Sequence, residues 1–594
     1  MQFSKLAEYL SELEKNSSRL EITRILADLF KKTDENEIGN ICYLVLGQLA
    51  PVYQAVDFNL AEKTMIKVIA KASGSEEAVV KKEYKKVGDL GEVAQQLKLK
   101  AANLKIFGRE EKKLAVNEVH SKLLEIARES GSGSVDRKIG KMIALTEDVD
   151  SLSVKYVVRM PIGKLRLGFS NMTILDALSW MVTGDKSLRK ALEEAYEVRV
   201  DIGIIAQELK AQSTKLKTKE KDFVVKKITE DLIKIKPKLG TPILPALCQR
   251  LSNTEEMIEK MGKVAAEPKY DGTRLQIHCD KNDSEVNIFT RNLENVTLMF
   301  PDIVEALKKE INAQSVILDG EAIGYDPKTD KFLPFQETIK RKRKYDIEEM
   351  IGKIPLKYFC FDVMFLNGKG IIDKPFFERR KILAEILAKT NKTIMLSPQI
   401  ITDDPVKLRQ YHTLQKSEGL EGIVAKKLNS VYEPGRRGNH WVKLKEEKGK
   451  KGAGLADSLD CVVMGYNRGK GKRAGFGVGG FLVGIRNNKD EIVTITKIGT
   501  GLTDDQWREL KIRCDKFKTN EQPKEYLVDK NMAPDVWVDP QIVVEIEADN
   551  ITVSPIHTAG LALRFPRLVK FRDDRSVHDA SNIKEAKKLY QLQK

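Results

Sequence analysis

The spacing of apolar residues changes character twice along this chain of 594 residues, and that change limits what it can fold into. Through about residue 225 apolar side chains recur every three to four positions, as at Phe3, Leu6, Leu10 and Leu13 and again at Leu175, Leu178 and Met181. A period near 3.6 puts such residues on one helix face, so this part is expected to be an all-helical domain. Within it SGSGS (130–134) is expected to be a flexible turn. The lysine-rich stretch from Lys210 to Lys238 should be a helix leading into a linker, which Pro237, Pro242 and Pro245 break. From about Ala246 to Lys445 the texture is short apolar runs, including VILDGEAIGY (316–325) and LKYFCFDVMFLNG (356–368), which are expected strands. Helical segments at Asp302–Ile311 and Arg379–Ala388 lie between them, giving a mixed α/β or α+β domain. After the basic tract KEEKGKKGAG (445–454), the pieces CVVMGY, GGFLVGI and IVVEIEA alternate with glycine turns, the pattern of a small β-barrel. The expected domains are therefore 1–225, 226–447 and 448–594.

The 102 Lys and Arg against 86 Asp and Glu leave a formal charge of +16. Such a balance suits a polyanionic partner such as nucleic acid, and equally a lysine-rich soluble surface. Charge alone does not choose between them. Cys42, Cys248, Cys279, Cys360, Cys461 and Cys514 are too scattered for a zinc knuckle or a redox dithiol, which fits a reduced, intracellular protein. The start MQFSKLAEYL has acid and lysine where a signal peptide needs an apolar core, and no run could span a bilayer. A cytoplasmic protein without a membrane partner is expected, associated with the nucleoid if the source is prokaryotic.

The densest group of reactive residues is Glu267-Pro-Lys269-Tyr-Asp271-Gly-Thr-Arg274, a lysine, two carboxylates and an arginine around a glycine. A free lysine has a pKa of about 10.4, so a nucleophilic lysine needs nearby cations or desolvation. A solvated β-turn would explain the same short string. Glu321 falls in an apolar strand, where an unpaired charge is costly. Lys443 and Lys445 alternate in a strand and can share an anionic target on one face. By the same alternation Phe359, Phe361, Val363 and Phe365 are expected on one side, most of them as core.

EPKYDGTRLQIH (267–278) resembles the adenylation motif of ATP-dependent DNA ligases of the archaeal and eukaryotic type, in the covalent nucleotidyltransferase superfamily. The family's other motifs follow in order: Arg291 in FTRNLENVT, Asp319-Gly-Glu321 in LDGEAIGYD, and Phe361 in FCFDVMFLNG. Glu421 in LEGIVAKK, Lys443 and Lys445 in WVKLK, and Arg564 in RFPRLVKFRDD complete the set. The resemblance implies that Lys269, with Asp271 beside it, attacks the α-phosphorus of ATP and expels pyrophosphate. The AMP then passes to a 5′-phosphate, and a 3′-hydroxyl displaces it to close a nick in duplex DNA.

It further implies that Glu321 and Glu421 hold Mg²⁺, with Glu321 also near the ribose. Arg274, Arg291, Arg437, Lys443 and Lys445 would surround the phosphates. Phe361 would stack on adenine and Glu267 would receive its amino group. Arg564 would contact pyrophosphate from an OB-fold that swings between two poses. Asn292 occupies a position where many relatives carry a second arginine. KLRLG (164–168), MTILDAL (172–178) and DKSLRKALEEAY (185–196) resemble the ligase DNA-binding domain, with Arg166 as a phosphate contact. A sliding-clamp peptide is placed near residues 104–107, and a monomer is expected. An NAD-dependent ligase would carry a four-cysteine zinc module that this chain lacks. RNA ligases and capping guanylyltransferases share the lysine core without this helical front domain and RFPR.

Overall fold

The computed structural model describes residues 1–16, 18–103, 111–165, 167–216, 220–251, 253–343, 346–388, 390–444, 457–469 and 475–592. The chain divides into two compact units, Met1–Lys445 and Glu446–Lys594. Arg166, Lys445 and the 104–107 segment lie outside the described residues.

From Phe3–Lys15 to Lys221–Ile233 the first unit is helical. The first helix buries Phe3, Leu6, Leu10 and Leu13 on one face, and Asn171–Thr183 buries Leu175, Leu178 and Met181. In SGSGS, Gly131 and Gly133 take φ of 79° and 70°, left-handed values that cost glycine little, and the helix Ser134–Asp148 begins at once. Asp201 is 1% exposed and caps the helix Ile202–Lys215 through the backbone N–H groups of Gly203 and Ile204. Its carboxylate also accepts the Tyr43 hydroxyl, and the Tyr53 hydroxyl at 2.8 Å. The proline-containing linker runs back along the helices, with Leu244 N–H donating to the Glu197 carbonyl at 2.8 Å.

Among the described residues, two sheets build the central region. The first contains β1 (Leu247–Arg250), β2 (Val264–Lys269), β9 (Ile400–Thr402), β10 (Gly422–Lys427) and β11 (Arg437–Leu444), in the order β1-β11-β10-β2-β9. The second contains β3 (Thr273–Asp280), β4 (Glu285–Thr290), β5 (Ser315–Gly324), β6 (Leu356–Leu366), β7 (Lys369–Gly370) and β8 (Ile394–Leu396). Its order is β4-β3-β5-β6-β7, with β8 against β6. Helices Pro301–Glu310 and Phe376–Ile386 cover it, close to the expected helical segments, so the region is α+β. The strands β5 and β6 coincide within two residues with the two apolar runs, because a strand buried on both faces reads as a nearly continuous apolar stretch.

One expectation is corrected here. Phe359, Phe361, Val363 and Phe365 do not share a side, because β6 changes register twice against β5, between Asp319 and Gly320 and between Ile317 and Leu318. Each irregularity leaves one β6 residue, Phe361 and then Met364, without a partner in the pairing. A bulge of this kind cancels the two-residue alternation and re-aims the side chains beyond it. Phe359 packs with Tyr270, Ile323 and Leu420, Val363 joins Leu318 and Leu383, and Phe361 and Phe365 pack toward Trp441 and Tyr432.

The second unit is strand-rich, built on Leu459–Arg468 paired with Val478–Arg486 and with Val543–Glu547, and its apolar core includes Phe481, Trp507 and Ile546. It has the OB-fold character expected of the C-terminal region. Among the described residues no helix is long and apolar enough to cross a membrane.

Candidate active site

Lys269 ends β2 in the first sheet and Thr273 opens β3 in the second, so the chain crosses between sheets at Tyr270-Asp271-Gly272. A Cβ on Gly272 would lie 2.3 Å from the Ala322 carbonyl oxygen and 3.0 Å from Cγ of Glu321. Glycine is therefore needed for close approach to β5. Tyr270 anchors the crossing: it is 6% exposed, stacks on Phe359 at 4.5 Å between centroids, and has its hydroxyl 3.2 Å from Ser397 Oγ.

Register brings the first sheet's charged residues to one face. Glu267 pairs with Val424, Val424 with Lys443, Lys269 with Gly422 and Lys426 with Trp441. Directly opposed residues share a face, so Glu267, Lys269, Lys426, Trp441 and Lys443 lie together. Gly422, opposite Lys269, has φ of 138°, and a Cβ there would meet the Leu444 carbonyl at 2.2 Å. The ammonium of Lys269 is ion-paired with the Glu421 carboxylate, and Glu421 N–H donates to the Lys269 carbonyl at 3.0 Å.

From the second sheet Arg274 stands opposite Glu321. Burial pushes the Glu321 carboxyl up to about 7, against the pull of Lys269 and Arg274 and with Asp319 and Glu421 adding to the rise. Arg274, expected to face the phosphates, is committed inward. Its Nε and Nη2 donate to Asp319 at 2.9 and 2.6 Å, and its Nη1 to the Ala246 carbonyl at 2.7 Å. The Tyr432 hydroxyl donates to Asp319 at 2.8 Å, completing that carboxylate's shell. A guanidinium shielded from water needs such fixed acceptors, which narrows what Arg274 can offer a ligand. Its Cζ lies 5.4 Å from the Phe361 ring centroid and 5.5 Å from that of Trp441, so the two sheets face each other here.

Beside Phe361 lies a buried charge group of which the sequence reading named Glu267 but neither Lys426 nor Arg380. Lys426 Nζ is 2.8 Å from Glu267 and 2.8 Å from the Phe361 carbonyl oxygen, and Arg380 Nη1 is 3.3 Å from Glu267. Two signals for it were available. Arg380 is spaced with Phe376 and Leu383 on the apolar face of its helix, and Lys426 follows the apolar run Ile423–Ala425 as the last buried residue of its strand, before the exposed Lys427. Arg291 is exposed just beyond β4, and Lys443 is partly buried on β11. Arg437 opens β11, with its side chain outside the described part of the structure. Arg564 belongs to the second unit, where its guanidinium lies 5.4 Å over the Phe565 ring. A cleft of about 860 Å³ lined by Tyr53, Phe289, Leu298 and Met299 includes no member of the Lys269 group.

The site thus joins a lysine, two carboxylates and a pair of rings, Phe361 and Trp441, packed edge to face at 5.8 Å above fixed charge, a set suited to nucleotidyl transfer. Comparison with known proteins agrees. Residues 2–179, 245–445 and 474–575 match, in that order, the DNA ligase N terminus, the ATP dependent DNA ligase domain and the ATP dependent DNA ligase C terminal region. A probable DNA ligase of Dictyoglomus turgidum is 42% identical across 100% of this chain and 98% of its own length. A DNA ligase of Sulfurisphaera tokodaii is 39% identical with the same coverage. A solved structure, Pmar-Lig_PreS3, shares the fold at a TM-score of 0.51 and 17% identity, over 95% of this chain and 99% of that one. The chain belongs to the ATP-dependent DNA ligases, enzymes that use ATP to seal nicks in DNA.

Proposed function

We propose that Lys269 carries the AMP and that the residues around it divide the work of three in-line displacements. The observation that carries this reading is the pairing of Lys269 with Glu421, beside Glu321, at the crossing between the two sheets. Attack needs the neutral amine, so that pair must open before Nζ bonds to the α-phosphorus of ATP and the bond to pyrophosphate breaks. A 5′-phosphate oxygen then attacks the same phosphorus and frees Lys269. Finally the 3′-hydroxyl oxygen attacks the activated 5′-phosphate and AMP departs. Positioning and charge neutralisation are the protein's main contributions to such steps.

Glu321 and Glu421 offer only oxygen ligands from two carboxylates, a set that suits Mg²⁺, which keeps several waters and substrate phosphates about it. When bound, that ion neutralises phosphate charge. Asp271 orients the lysine turn. Phe361 stacks on adenine and Glu267 accepts its amino group. Arg291, Arg437, Lys443 and Lys445 serve the phosphates, Arg274 adds only its charge at a distance because its hydrogen bonds are taken by Asp319 and the Ala246 carbonyl, and Arg564 acts on the pyrophosphate.

Residues 1–225, 226–447 and 448–594 are assigned DNA binding, adenylation and OB-fold functions, with Arg166 among the DNA contacts. Replication, recombination and repair are the settings such sealing serves. A monomer with a sliding-clamp partner is proposed from the sequence alone. Cytoplasmic residence is proposed on six cysteines without disulfides. The test is to mix the protein with ATP labelled at the α-phosphate, then with nicked DNA or nicked RNA. Label should appear on Lys269, be absent from Lys269→Ala and discharge on DNA. Label of equal amount in Lys269→Ala overturns the assignment.

A further inference from the structure

We infer that Lys426 and Arg380 are positioning residues that fix the base specificity of the nucleotide site, by holding Glu267 as an acceptor-only carboxylate and by pinning the β6 bulge that carries Phe361. This rests on the reading that Glu267 and Phe361 receive adenine.

Glu267 is 2% exposed and its two oxygens are taken up from two sides, one by Lys426 Nζ at 2.8 Å and the other by Arg380 Nη1 at 3.3 Å. Burial pushes the Glu267 carboxyl up, and Lys426 and Arg380 pull against that rise toward the ionised form, which has lone pairs to spare and no proton to donate. A base presenting an amino group at this edge gains a hydrogen bond. A base presenting a carbonyl oxygen there meets another acceptor and gains none, so adenine is preferred over hypoxanthine or guanine. Lysine and arginine reach Glu267 from different elements, β10 and the helix Phe376–Ile386, so the carboxylate cannot turn away without breaking both.

The second part concerns the ring. Phe361 lacks a pairing partner in β5 at the bulge, so its half-buried carbonyl has no opposing residue there to supply a ladder hydrogen bond. Lys426 supplies the donor at 2.8 Å, and its ammonium lies 4.6 Å from the Phe361 ring and 4.3 Å from that of Trp441. Arg380 ties the same group to the residue just after β8 by donating to the Ser397 carbonyl, and Ser397 N–H donates to the Cys360 carbonyl at 2.9 Å. The two cations thus fix both the edge that reads the base and the face that stacks on it.

The experiment measures labelled lysyl-nucleotide formation from ATP and from ITP, which differ at the amino edge, in the full chain. Lys426→Met and Arg380→Met should raise the KM for ATP more than they lower kcat, and lower the ATP-over-ITP ratio of kcat/KM by about tenfold or more. Lys426→Arg should keep most of the ratio. A purely structural role would lower both nucleotides equally and leave the ratio unchanged. If Glu267→Gln shifts the ratio while Lys426→Met and Arg380→Met leave it as in the parent protein, this inference is overturned and the adenine reading stands. If Glu267→Gln leaves the ratio unchanged, the adenine reading itself fails. Should Lys426→Met not fold, Arg380→Met decides, since it reaches Glu267 from another element.

Discussion

One methyl group at Gly272 would decide whether the lysine turn can lie against β5, since the added carbon falls 2.3 Å from the Ala322 carbonyl oxygen. That oxygen is backbone in a central strand and cannot swing aside. Overpacking of this kind costs about 1–3 kcal/mol. Gly272→Ala is thus expected to lower the urea midpoint and, by moving Lys269, to slow lysyl-AMP formation more than the stability loss explains. Full adenylation at normal stability would show that the close approach is dispensable. Phe361 makes a different residue-scale case. Stacking on a base is worth about 1–3 kcal/mol, so Phe361→Ala should raise the KM for ATP by roughly tenfold or more while leaving labelled Lys269 detectable. An unchanged KM would mean that Trp441 or another ring serves the base.

Between elements, one charged contact joins the helix Arg189–Val198 to the segment entering β11. Arg436 is 3.0 Å from Glu194 and 3.4 Å from Glu197. Burial pushes the Glu197 carboxyl up to about 7, with Arg436 pulling it down and Glu193 and Glu194 adding to the rise. A carboxyl whose folded pKa is raised favours the fold below its ordinary value and loses that contribution as pH rises through the folded value. The window here runs from about 4.5 to about 7. Glu197→Gln should therefore match the parent protein's urea midpoint near the acid end and exceed it at higher pH. A parent protein that gains on the variant as pH rises would show that attraction to Arg436 outweighs burial. The β6 bulges belong to this scale too. Alternation correctly marks β6 as a strand, but no local pattern announces where its partner skips a residue, so the facing of Phe361 was not legible.

At the scale of the whole molecule, the net charge of +16 gives binding to DNA an electrostatic, salt-sensitive component. Arg564 lies in the second unit, at the end of the hairpin formed by Asn550–Val553 and Leu561–Arg564. Arg564→Ala is expected to impair charging by ATP more than sealing of pre-adenylated DNA. Equal loss in separate assays of the two steps would count against a pyrophosphate role. By itself the sequence determined the succession of helical, α+β and strand-rich regions, the lysine turn and the family, because periodicity and motif spacing are properties of neighbouring residues. Only the tertiary structure decided that Glu267 meets Lys426 and Arg380 and that Arg274 turns inward to Asp319. The physical reason is that a buried charge takes its partners from whichever distant segments the strand register brings beside it, and register is settled by pairing across the sheet.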